Sequence, residues 1–310
     1  MVKSVKIYNN FNIKSYHKNS IILIGNFDGL HLGHQKLFNL AQNFKKKYSL
    51  KIGVMTFEPM PKMFFNKNLK NFRISNQKQK ITLLKKFDID FVIVKKFDKK
   101  FSKTKSINFI KDILSKRLGA KFIFVSNNFR FGNKREGNVK QLIHYQTFYN
   151  YQIIKPKPLY KNKKIISSTL IRKYLENGKL DKANKFLDRE WSIEGKVIKG
   201  RQLGKKIGFP TCNINLNEYV ISKPGVYAVK VKSKNLKKTY NGIANLGYRP
   251  TFNQKKIILE VNIFNFSGNL YNKKITVEFL KFIRDERKFR GIDQLKKQIK
   301  LDLRIAKKIN

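Results

Sequence analysis

The sequence predicts an α/β domain built on a parallel sheet, then an all-β domain that is an antiparallel barrel or a sandwich, and last a terminal helix. Three observations lead to this prediction. The chain has 310 residues, which is the usual size of two domains. Strand-like apolar runs alternate with helical periodicity up to about residue 188, and short alternating segments follow. We therefore place a domain boundary between residues 1–187 and residues 188–310.

The first half contains four apolar runs with the length of buried strands, separated by segments of helical spacing. Such alternation favours a parallel sheet covered on both faces, with ligands beyond the carboxyl ends of its strands. One helix is expected to end at Gly119, because glycine is common just after a helix. The predicted strands are 20–25, 51–57, 91–94 and 121–125, and the predicted helices are 35–48, one that begins at Ser75 or Asn76, and 107–118.

The second half has the pattern of an antiparallel domain. Short alternating segments are broken by glycine, proline and asparagine, which is typical of a barrel or a sandwich. A last amphipathic helix carries Ile292, Leu295, Ile299 and Leu303 on one side. The predicted strands are 192–199, 225–233, 257–264 and 274–279.

Composition excludes several classes of protein. Hydrophobic residues make up 41% of the chain, which is enough for packed cores and excludes a wholly disordered chain. No apolar run approaches the roughly 20 residues that cross a bilayer, and the first residues lack a signal-peptide pattern. The single cysteine, Cys212, excludes an intramolecular disulfide and a cysteine-based zinc finger. We expect a cytoplasmic protein with no membrane partner.

The formal net charge is +50, from 69 Lys and Arg against 19 Asp and Glu. A basic surface binds polyanions, so nucleic acid is one candidate partner. The alternative is a compositional bias, because lysine and asparagine are spread through the chain and form no basic block. We favour solvated lysine faces over a nucleic-acid site, although a field of this sign attracts any phosphorylated ligand.

Residues 25–34 read Gly-Asn-Phe-Asp-Gly-Leu-His-Leu-Gly-His and lie between the first predicted strand and the first long helix. A helix N-terminus presents unpaired N–H groups and a positive dipole end, which suits a phosphate. Glycines let the backbone approach a ligand, and His31 and His34 can lie on one side of a turn. Such histidines can stabilise charge at an α-phosphate. The alternatives are a structural turn or a two-histidine metal site, which lacks an evident third ligand.

This motif and three further segments carry a family resemblance. The segments are residues 56–61 (Thr-Phe-Glu-Pro-Met-Pro), 128–132 (Asn-Phe-Arg-Phe-Gly) and 166–172 (Ile-Ser-Ser-Thr-Leu-Ile-Arg). With them the chain resembles, over nearly its whole length, the bacterial bifunctional riboflavin kinase/FMN adenylyltransferases, also called FAD synthetases. The resemblance implies a Rossmann-like nucleotidyltransferase domain with a parallel sheet, followed by a C-terminal antiparallel β-barrel with a terminal helix.

In that family the Ser-Ser-Thr segment faces the histidine motif across ATP. Ser167 can cap a helix, and Arg172 can bind phosphate oxygens through two parallel hydrogen bonds. The alternative is that this segment only starts a helix. The resemblance implies that His31, His34 and Arg172 are catalytic, that Gly25, Asn26, Phe27, Asp28, Ser167, Ser168 and Thr169 bind nucleotide, and that Phe57, Pro59, Asn128, Arg284 and Arg287 bind flavin.

Residues 200–213 are similar to the riboflavin kinase signature, a glycine-rich loop that ends in Gly-Phe-Pro-Thr-Ala-Asn. Glycines here let backbone amides surround ATP phosphates, although taken alone the run is equally a basic hairpin loop. Lys205 stands in place of the more common arginine, which keeps the charge but loses the two-pronged geometry. The resemblance implies nucleotide contacts from Gly204, Lys205, Gly208, Phe209 and Pro210, and Mg²⁺ ligands from Thr211 and Asn213, whose oxygens are of the kind Mg²⁺ prefers.

Glu260 is the candidate general base of the second half. It is one of few acids in a very basic domain and lies between Leu259 and Val261 on a predicted strand. A carboxylate can orient a hydroxyl for phosphoryl transfer and take its proton. Without the resemblance, a strand-edge glutamate paired with a lysine is the simpler interpretation.

The implied function has two steps: ATP phosphorylates riboflavin to FMN in the C-terminal domain, and a second ATP adenylylates FMN to FAD in the N-terminal domain. The implied ligands are ATP, Mg²⁺ and flavins, and the expected state is a monomer or weak homo-oligomer. Met60, Asn127 and Asn128 depart from the family pattern, so a kinase with an inactive adenylyltransferase half is one alternative. A basic nucleic-acid-binding protein that retains the fold is another. Transfer to a different phosphate compound is disfavoured by the second domain.

Overall fold

A computed structural model describes residues 4–161, 163–200, 204, 207–234, 236, 238–250 and 255–309. The chain forms two compact units. The first comprises Met1–Leu69 and Lys80–Ile166, and the second comprises Lys70–Gln79 and Ser167–Asn310. Within the described ranges, no helix combines the length and the apolar character that crossing a membrane requires.

The first unit is built on the predicted parallel sheet. Its strands are β1 Lys6–Tyr8, β2 Ile21–Ile24, β3 Ile52–Glu58, β4 Phe91–Lys96, β5 Phe122–Phe124, β6 Arg130–Phe131, β7 Gly137–Asn138, β8 Gln152–Ile154, β9 Tyr160–Lys161 and β10 Lys164–Ile165. Among the described residues, six of these strands form one sheet in the order β1-β4-β3-β2-β5-β8. Every neighbouring pair in that sheet is parallel.

Both faces of the sheet are covered, as the alternation of strands and helices predicts. Successive side chains of a strand point to opposite faces. Ile22 and Ile24 of β2 belong to one hydrophobic cluster, whereas Ile21 and Leu23 belong to another. All four side chains are buried. The strand β2 is therefore fixed at the centre of two cores, and the chain leaves it at Gly25.

The α- and π-helices between residues 32 and 144 include all three predicted segments, one of them mostly π-helical, and three short helices that were not predicted. In chain order, these α- and π-helices are α1 Leu32–Tyr48, α2 Pro61–Phe65, α3 Gln77–Leu84, α4 Lys99–Ser102, α5 Ser106–Asn108, a π-helix Phe109–Arg117 and α6 Val139–His144. The 107–118 segment is thus mostly π-helical, and the predicted Gly119 follows it with φ +57°. Of the two predicted caps, Asn76 is the one that caps α3, because its side chain accepts from the Gln79 amide and the Gln79 side chain accepts from the Asn76 amide.

The strands of the second unit close into an antiparallel barrel rather than a sandwich. They are β11 Trp191–Ile198, β12 Cys212–Asn215, β13 Gly225–Lys232, β14 Tyr240–Pro250, β15 Lys255–Ile263 and β16 Lys274–Asp285. Among the described residues their order around the barrel is β11-β12-β15-β14-β13-β16. The helices of this unit are α7 Ser168–Glu176, α8 Leu180–Leu187 and the predicted terminal helix, α9 Ile292–Ile309.

A short segment far away in the sequence, 70–79, belongs to the barrel unit. The amides of Phe72 and Arg73 donate to the carbonyl of Glu218, and the amide of Val220 donates to the carbonyl of Arg73. The indole N–H of Trp191 donates to the carbonyl of Ile74 at 2.9 Å. The second unit is therefore discontinuous in sequence, and its main part begins at Ser167, before the change of period near residue 188.

The terminal helix is held to the barrel by a charged pair. Arg284, at the end of β16, donates from Nε and Nη2 to both carboxylate oxygens of Asp302 at 2.7–3.0 Å. The Asp302 side chain is 3% exposed and that of Arg284 is 14% exposed. A charge at such a site is costly to bury unless its partner is present.

Replacing Asp302 with alanine should therefore lower the free energy of unfolding of the second unit by about 3 kcal/mol, because it leaves the guanidinium of Arg284 without its carboxylate. Urea unfolding followed by the fluorescence of Trp191 measures this unit, since the chain has 1 tryptophan and it lies in β11.

Lys232→Ala is the matched control, because it breaks an exposed ion pair with Glu278 on the same barrel. This control should cost less than about 1 kcal/mol. Equal losses in the two variants would contradict the anchoring role of Asp302.

Candidate active sites

The two histidines of the first unit lie together at the N-terminus of α1. His31 is the residue that precedes the helix, and the amides of His34 and Gln35 donate to its carbonyl at 2.7 and 3.0 Å. The imidazole rings of His31 and His34 stack with centroids 3.7 Å apart. His31 is 5% exposed. The spacing of the two histidines therefore does place both rings on one side of the turn.

Glycine at position 33 leaves room for this stacked pair. A Cβ there would lie 3.1 Å from the His31 ring and 3.1 Å from the carbonyl oxygen of Ile166. Contacts of that length are tighter than a Cβ ordinarily makes. Gly33 thus allows the ring of His31 to lie flat beside the first turn of α1.

The turn between β2 and α1 has an unusual backbone. Phe27, Gly29 and Leu30 have φ angles of +47°, +79° and +35°. Positive φ is strained for residues other than glycine and persists where packing maintains it. Phe27 and Asp28 are both 2% exposed, and the Phe27 ring contacts the ring of His34 at 5.3 Å. The turn is therefore anchored by buried side chains beside the helix N-terminus.

The flavin-binding residues predicted for the first unit lie in different surroundings. Phe57 is 8% exposed and packs in an aromatic cluster with Phe97 and Phe101. Pro59 follows a cis peptide bond with Glu58. Asn128 is exposed, and its Oδ1 accepts from the hydroxyl of Ser126. Their role toward flavin stays a prediction.

Met60, one of the three departures from the family pattern, is 1% exposed and immediately precedes α2. Its carbonyl accepts from the amides of Met63 and Phe64. The side chain of Met60 is therefore part of the buried interior of the first unit.

The Ser-Ser-Thr segment begins α7, in the second unit. The hydroxyl of Ser167 accepts from the Leu170 amide, which confirms the predicted cap. Arg172, on the same helix, donates from Nε to the carbonyl of Phe72 at 2.7 Å, and its guanidinium lies 3.6 Å above the Phe72 ring. These contacts fix the orientation of Arg172, and its contact with phosphate stays a prediction, as do those of Ser168 and Thr169.

Three described residues of the glycine-rich loop, Gly204, Gly208 and Phe209, show how the loop ends. The Phe209 amide donates to the Gly204 carbonyl at 2.7 Å, and Gly208 has φ +92°, a conformation that favours glycine. The side-chain amide of Asn262, on β15, donates to the carbonyl of Pro210 at 2.7 Å. This bond ties the end of the loop to the strand that carries Glu260. Lys205 lies outside the described residues.

Glu260 occupies the centre of a polar row across three strands. In the register of the barrel it pairs with Asn213 of β12 on one side and with Asn245 of β14 on the other. Directly opposed side chains of neighbouring strands are close enough to interact. The alternate pair, Ile214 and Leu259, is fully buried, so the polar row lies on the other face of the barrel wall.

The predicted Mg²⁺ ligands fit a hard cation. The Oδ1 atom of Asn213, a residue 4% exposed, is buried without a hydrogen-bond partner among the described residues. A Cβ at Gly200 would overlap the Asn213 side chain, so only glycine leaves room for that amide. The described residues hold no cluster of three or more His, Cys, Asp or Glu, the donors of a transition-metal site. Hydroxyl and amide oxygens, as in Thr211 and Asn213, suit Mg²⁺ that also binds phosphates.

Cys212 lies between Thr211 and Asn213, the two predicted ligands, and is chemically protected. Its Sγ donates to the Val261 carbonyl at 3.4 Å, and burial raises the pKa of the thiol to about 11. A neutral thiol is a weak nucleophile and a weak metal ligand.

The sequence did not single out two polar residues near Glu260, and one of the predicted flavin ligands has an unexpected partner. No feature of the sequence indicates that Asn245 lies beside Glu260, because only the strand register brings the two together. Asn262 could have been predicted to share the strand face of Glu260, because it lies two residues further along the same strand. Of the predicted flavin ligands, Arg284 binds Asp302, and Arg287 is exposed.

Comparison with known proteins agrees with this arrangement. The FAD synthetase family model matches residues 13–170, and the riboflavin kinase family model matches residues 187–310. A bifunctional riboflavin kinase/FMN adenylyltransferase from Buchnera aphidicola subsp. Schizaphis graminum is 42% identical over 300 residues, which is 96% of each chain. The Escherichia coli protein of the same name is 36% identical over 282 residues, which is 91% of this chain and 90% of that one.

A crystal structure titled macrolide-efflux protein, from Streptococcus pneumoniae, has the same fold over 98% of both chains, with a TM-score of 0.85 and 29% identity. Its title describes that protein only. Because both family models match in sequence order and relatives align over more than nine-tenths of the chain, the protein belongs to the family of bifunctional riboflavin kinase/FMN adenylyltransferases.

Proposed function

We propose that this transferase makes FAD from riboflavin in two steps, divided at residue 187. Residues 188–310 phosphorylate riboflavin to FMN with ATP, and residues 1–187 transfer AMP from a second ATP to FMN and release pyrophosphate. The observation that carries the proposal is the position of Glu260 between Asn213 and Asn245. The order of the two family models along the chain supports the same division.

In the kinase step, the terminal ribityl hydroxyl of riboflavin forms a bond to the γ-phosphorus of ATP, and the bond from that phosphorus to the β,γ-bridging oxygen breaks. Glu260 orients the hydroxyl and takes its proton. The amide of Asn245 holds the ribityl chain or a phosphate oxygen beside it. The glycine-rich loop offers backbone amides to the phosphates, and the bond from Asn262 to the Pro210 carbonyl keeps the end of the loop in place.

Thr211 and Asn213 are the residues that would hold Mg²⁺ together with phosphate oxygens of ATP. When bound, the ion neutralises the charge that develops on the transferred phosphoryl group. The support for this assignment is the buried Oδ1 atom of Asn213, which has no partner among the residues that the structure describes.

In the adenylylation step, a phosphate oxygen of FMN forms a bond to the α-phosphorus of ATP, and the bond to the α,β-bridging oxygen breaks, which releases pyrophosphate. The nucleophile needs no activation, because the FMN phosphate is already an anion. His31, His34 and the first amides of α1 stabilise the charge at the α-phosphate. The turn from Gly25 to Asp28 holds the nucleotide. The phosphate contact of Arg172 rests on the family resemblance.

This function requires only small-molecule partners, namely ATP and flavins. We place it in the cytoplasm, where ATP is supplied, in a monomer or weak homo-oligomer. The spread of the lysines supports a solvated basic surface rather than a nucleic-acid site.

The test is a paired assay in which the protein receives riboflavin, ATP and Mg²⁺, and FMN, FAD and pyrophosphate are measured together. Both flavin nucleotides should form. If FMN forms but added FMN yields neither FAD nor pyrophosphate, the chain is a kinase with an inactive adenylyltransferase half. Failure to form either product refutes the proposal, and so does binding of a polynucleotide at about 0.15 M salt more tightly than ATP or flavin.

Glu260→Ala should lower FMN formation by about 10²–10⁴-fold, the usual effect of losing a general base. Formation of FAD from added FMN should continue at the wild-type rate, because that step is assigned to residues 1–187. Glu278→Ala removes another barrel carboxylate, one that pairs with Lys232, and should leave both rates unchanged. Equal loss of both activities in Glu260→Ala would refute the division of labour.

His31→Ala should have the opposite pattern. Formation of FAD from added FMN should fall by about 10²–10³-fold, because a donor to the developing charge is lost. The riboflavin kinase rate should not change. His144→Ala removes an exposed imidazole of the same unit and is the control. A wild-type adenylylation rate in His31→Ala would show that the histidine pair is structural.

Modification of Cys212 should be slow and should affect only the kinase. With a pKa of about 11, the thiolate is about 0.1% of the folded protein at pH 8, against about a quarter for an ordinary cysteine. An aromatic disulfide reagent should therefore react about a hundredfold more slowly with the native chain than in urea, and faster as the pH rises. A native rate equal to the unfolded rate would contradict the burial of this thiol.

A further inference from the structure

The first unit contains a completely buried lysine that the mechanism above does not use. Lys80, on α3, has a side chain with 0% exposure. Lysines are almost never fully buried unless their charge has a specific environment. Its ammonium lies 3.4 Å from the hydroxyl oxygen of Thr56, a residue that is itself 0% exposed.

Thr56 connects this lysine to the turn that follows β2. The Thr56 hydroxyl donates to the carbonyl oxygen of Asn26 at 3.4 Å, and it accepts from Lys80. Thr56 lies near the carboxyl end of β3, where the amide of Gly25 also donates to the carbonyl of Met55 at 3.1 Å. Two successive residues of β3, Met55 and Thr56, therefore bind backbone groups of two successive residues of the turn, Gly25 and Asn26.

We propose that Lys80 is a positioning residue for FMN adenylylation: through the Thr56 hydroxyl, its buried ammonium orients the Asn26–Phe27 peptide of the nucleotide-binding turn. The proposal rests on the proposed assignment of that turn to ATP.

Peptide geometry explains why this peptide matters. In a planar trans peptide the carbonyl and the following N–H point in opposite directions. When the Asn26 carbonyl is drawn toward Thr56, the Phe27 N–H is directed to the other side. A reversed peptide would present a carbonyl dipole to the triphosphate, which repels it. Phe27 has φ +47°, so the turn needs contacts that maintain it against relaxation.

The charge of Lys80 adds to this effect. A hydroxyl polarised by an ammonium is a stronger donor than a hydroxyl alone, because hydrogen bonds in a chain polarise one another. A positive charge in a region of low dielectric also raises the potential at a nearby phosphate. The two contributions separate by mutation, since Thr56→Val removes the hydroxyl and keeps the ammonium, whereas Lys80→Met removes the ammonium and keeps the hydroxyl.

Thr56→Val should raise the KM for ATP in FAD formation from FMN by about five- to tenfold, the effect of one lost hydrogen bond. The KM for FMN and the riboflavin kinase rate of the same protein should not change. Thr56→Ser keeps the hydroxyl and should restore the KM to within about twofold of wild type. Lys80→Met keeps that hydroxyl but removes the charge that polarises it, so it should also raise the KM for ATP, with the kinase rate again unchanged. A wild-type KM in folded Lys80→Met would overturn the role of the ammonium.

Lys45→Met is the matched control for charge. Lys45 is also in the first unit and pairs with Asp88 and Asp90, which precede the amino end of β4. This change removes one ammonium at the amino ends of the strands, whereas the turn lies at their carboxyl ends. It should leave the KM for ATP unchanged.

The outcomes separate this inference from the proposed function. A wild-type KM in Thr56→Val, or an equal rise in Thr56→Ser, overturns the positioning role, since the first shows no role for the hydroxyl and the second a role for the methyl group alone. If Lys80→Met does not fold, the two Thr56 variants decide. A wild-type adenylylation rate in His31→Ala instead overturns the site assignment on which the inference rests.

Discussion

The central position of β2 in the parallel sheet constrains everything that follows it in the first unit. Its four side chains are buried in two cores, and its backbone pairs with β3 on one side and β5 on the other. The strand can neither slide nor turn without moving an apolar side chain into the wrong core. The chain must therefore leave the sheet at Gly25, turn within seven residues and enter α1. The left-handed residues in the turn and the stacked rings of His31 and His34 are consequences of that short path.

The barrel places its polar groups by a different constraint, the pairing of its strands. The register of β12, β15 and β14 brings Asn213, Glu260 and Asn245 into one row, although they are distant in sequence. The same pleat sends Ile214 and Leu259 to the buried face. Any slip by one residue would exchange the two sets and bury the carboxylate. The polar row and the apolar core of the barrel thus stabilise each other's register.

Local signals in the sequence were sufficient for the elements that depend on local physics. The alternation of strands and helices, the glycine after the π-helix, the Ser167 cap and the terminal helix follow from periodicity and capping. The π-helical form of residues 109–117 did not follow, since spacings of three and four residues suit several helices. The pattern of alternating segments did not distinguish a barrel from a sandwich, because it does not show which strands pair with each other.

The sequence could not predict contacts in which a residue distant in sequence gives a side chain an unusual environment or partner. Lysine side chains ordinarily lie in solvent, and no neighbouring residue in the sequence indicated that the ammonium of Lys80 is buried beside the Thr56 hydroxyl. Arg284 has the character of an anion-binding residue, and its partner is the buried carboxylate of Asp302 on the terminal helix. In both cases the deciding group lies on a different element of the fold.

The discontinuity of the second unit has a consequence for the order in which the protein is made. Ile74 leaves the ribosome long before Trp191, its hydrogen-bond partner 117 positions later in the chain. The nascent segment 70–79 must wait, with its carbonyls in water, until the barrel strands have been synthesised. The barrel unit therefore cannot complete its folding as an independent C-terminal piece, because some of its hydrogen bonds are made with residues translated more than a hundred positions earlier.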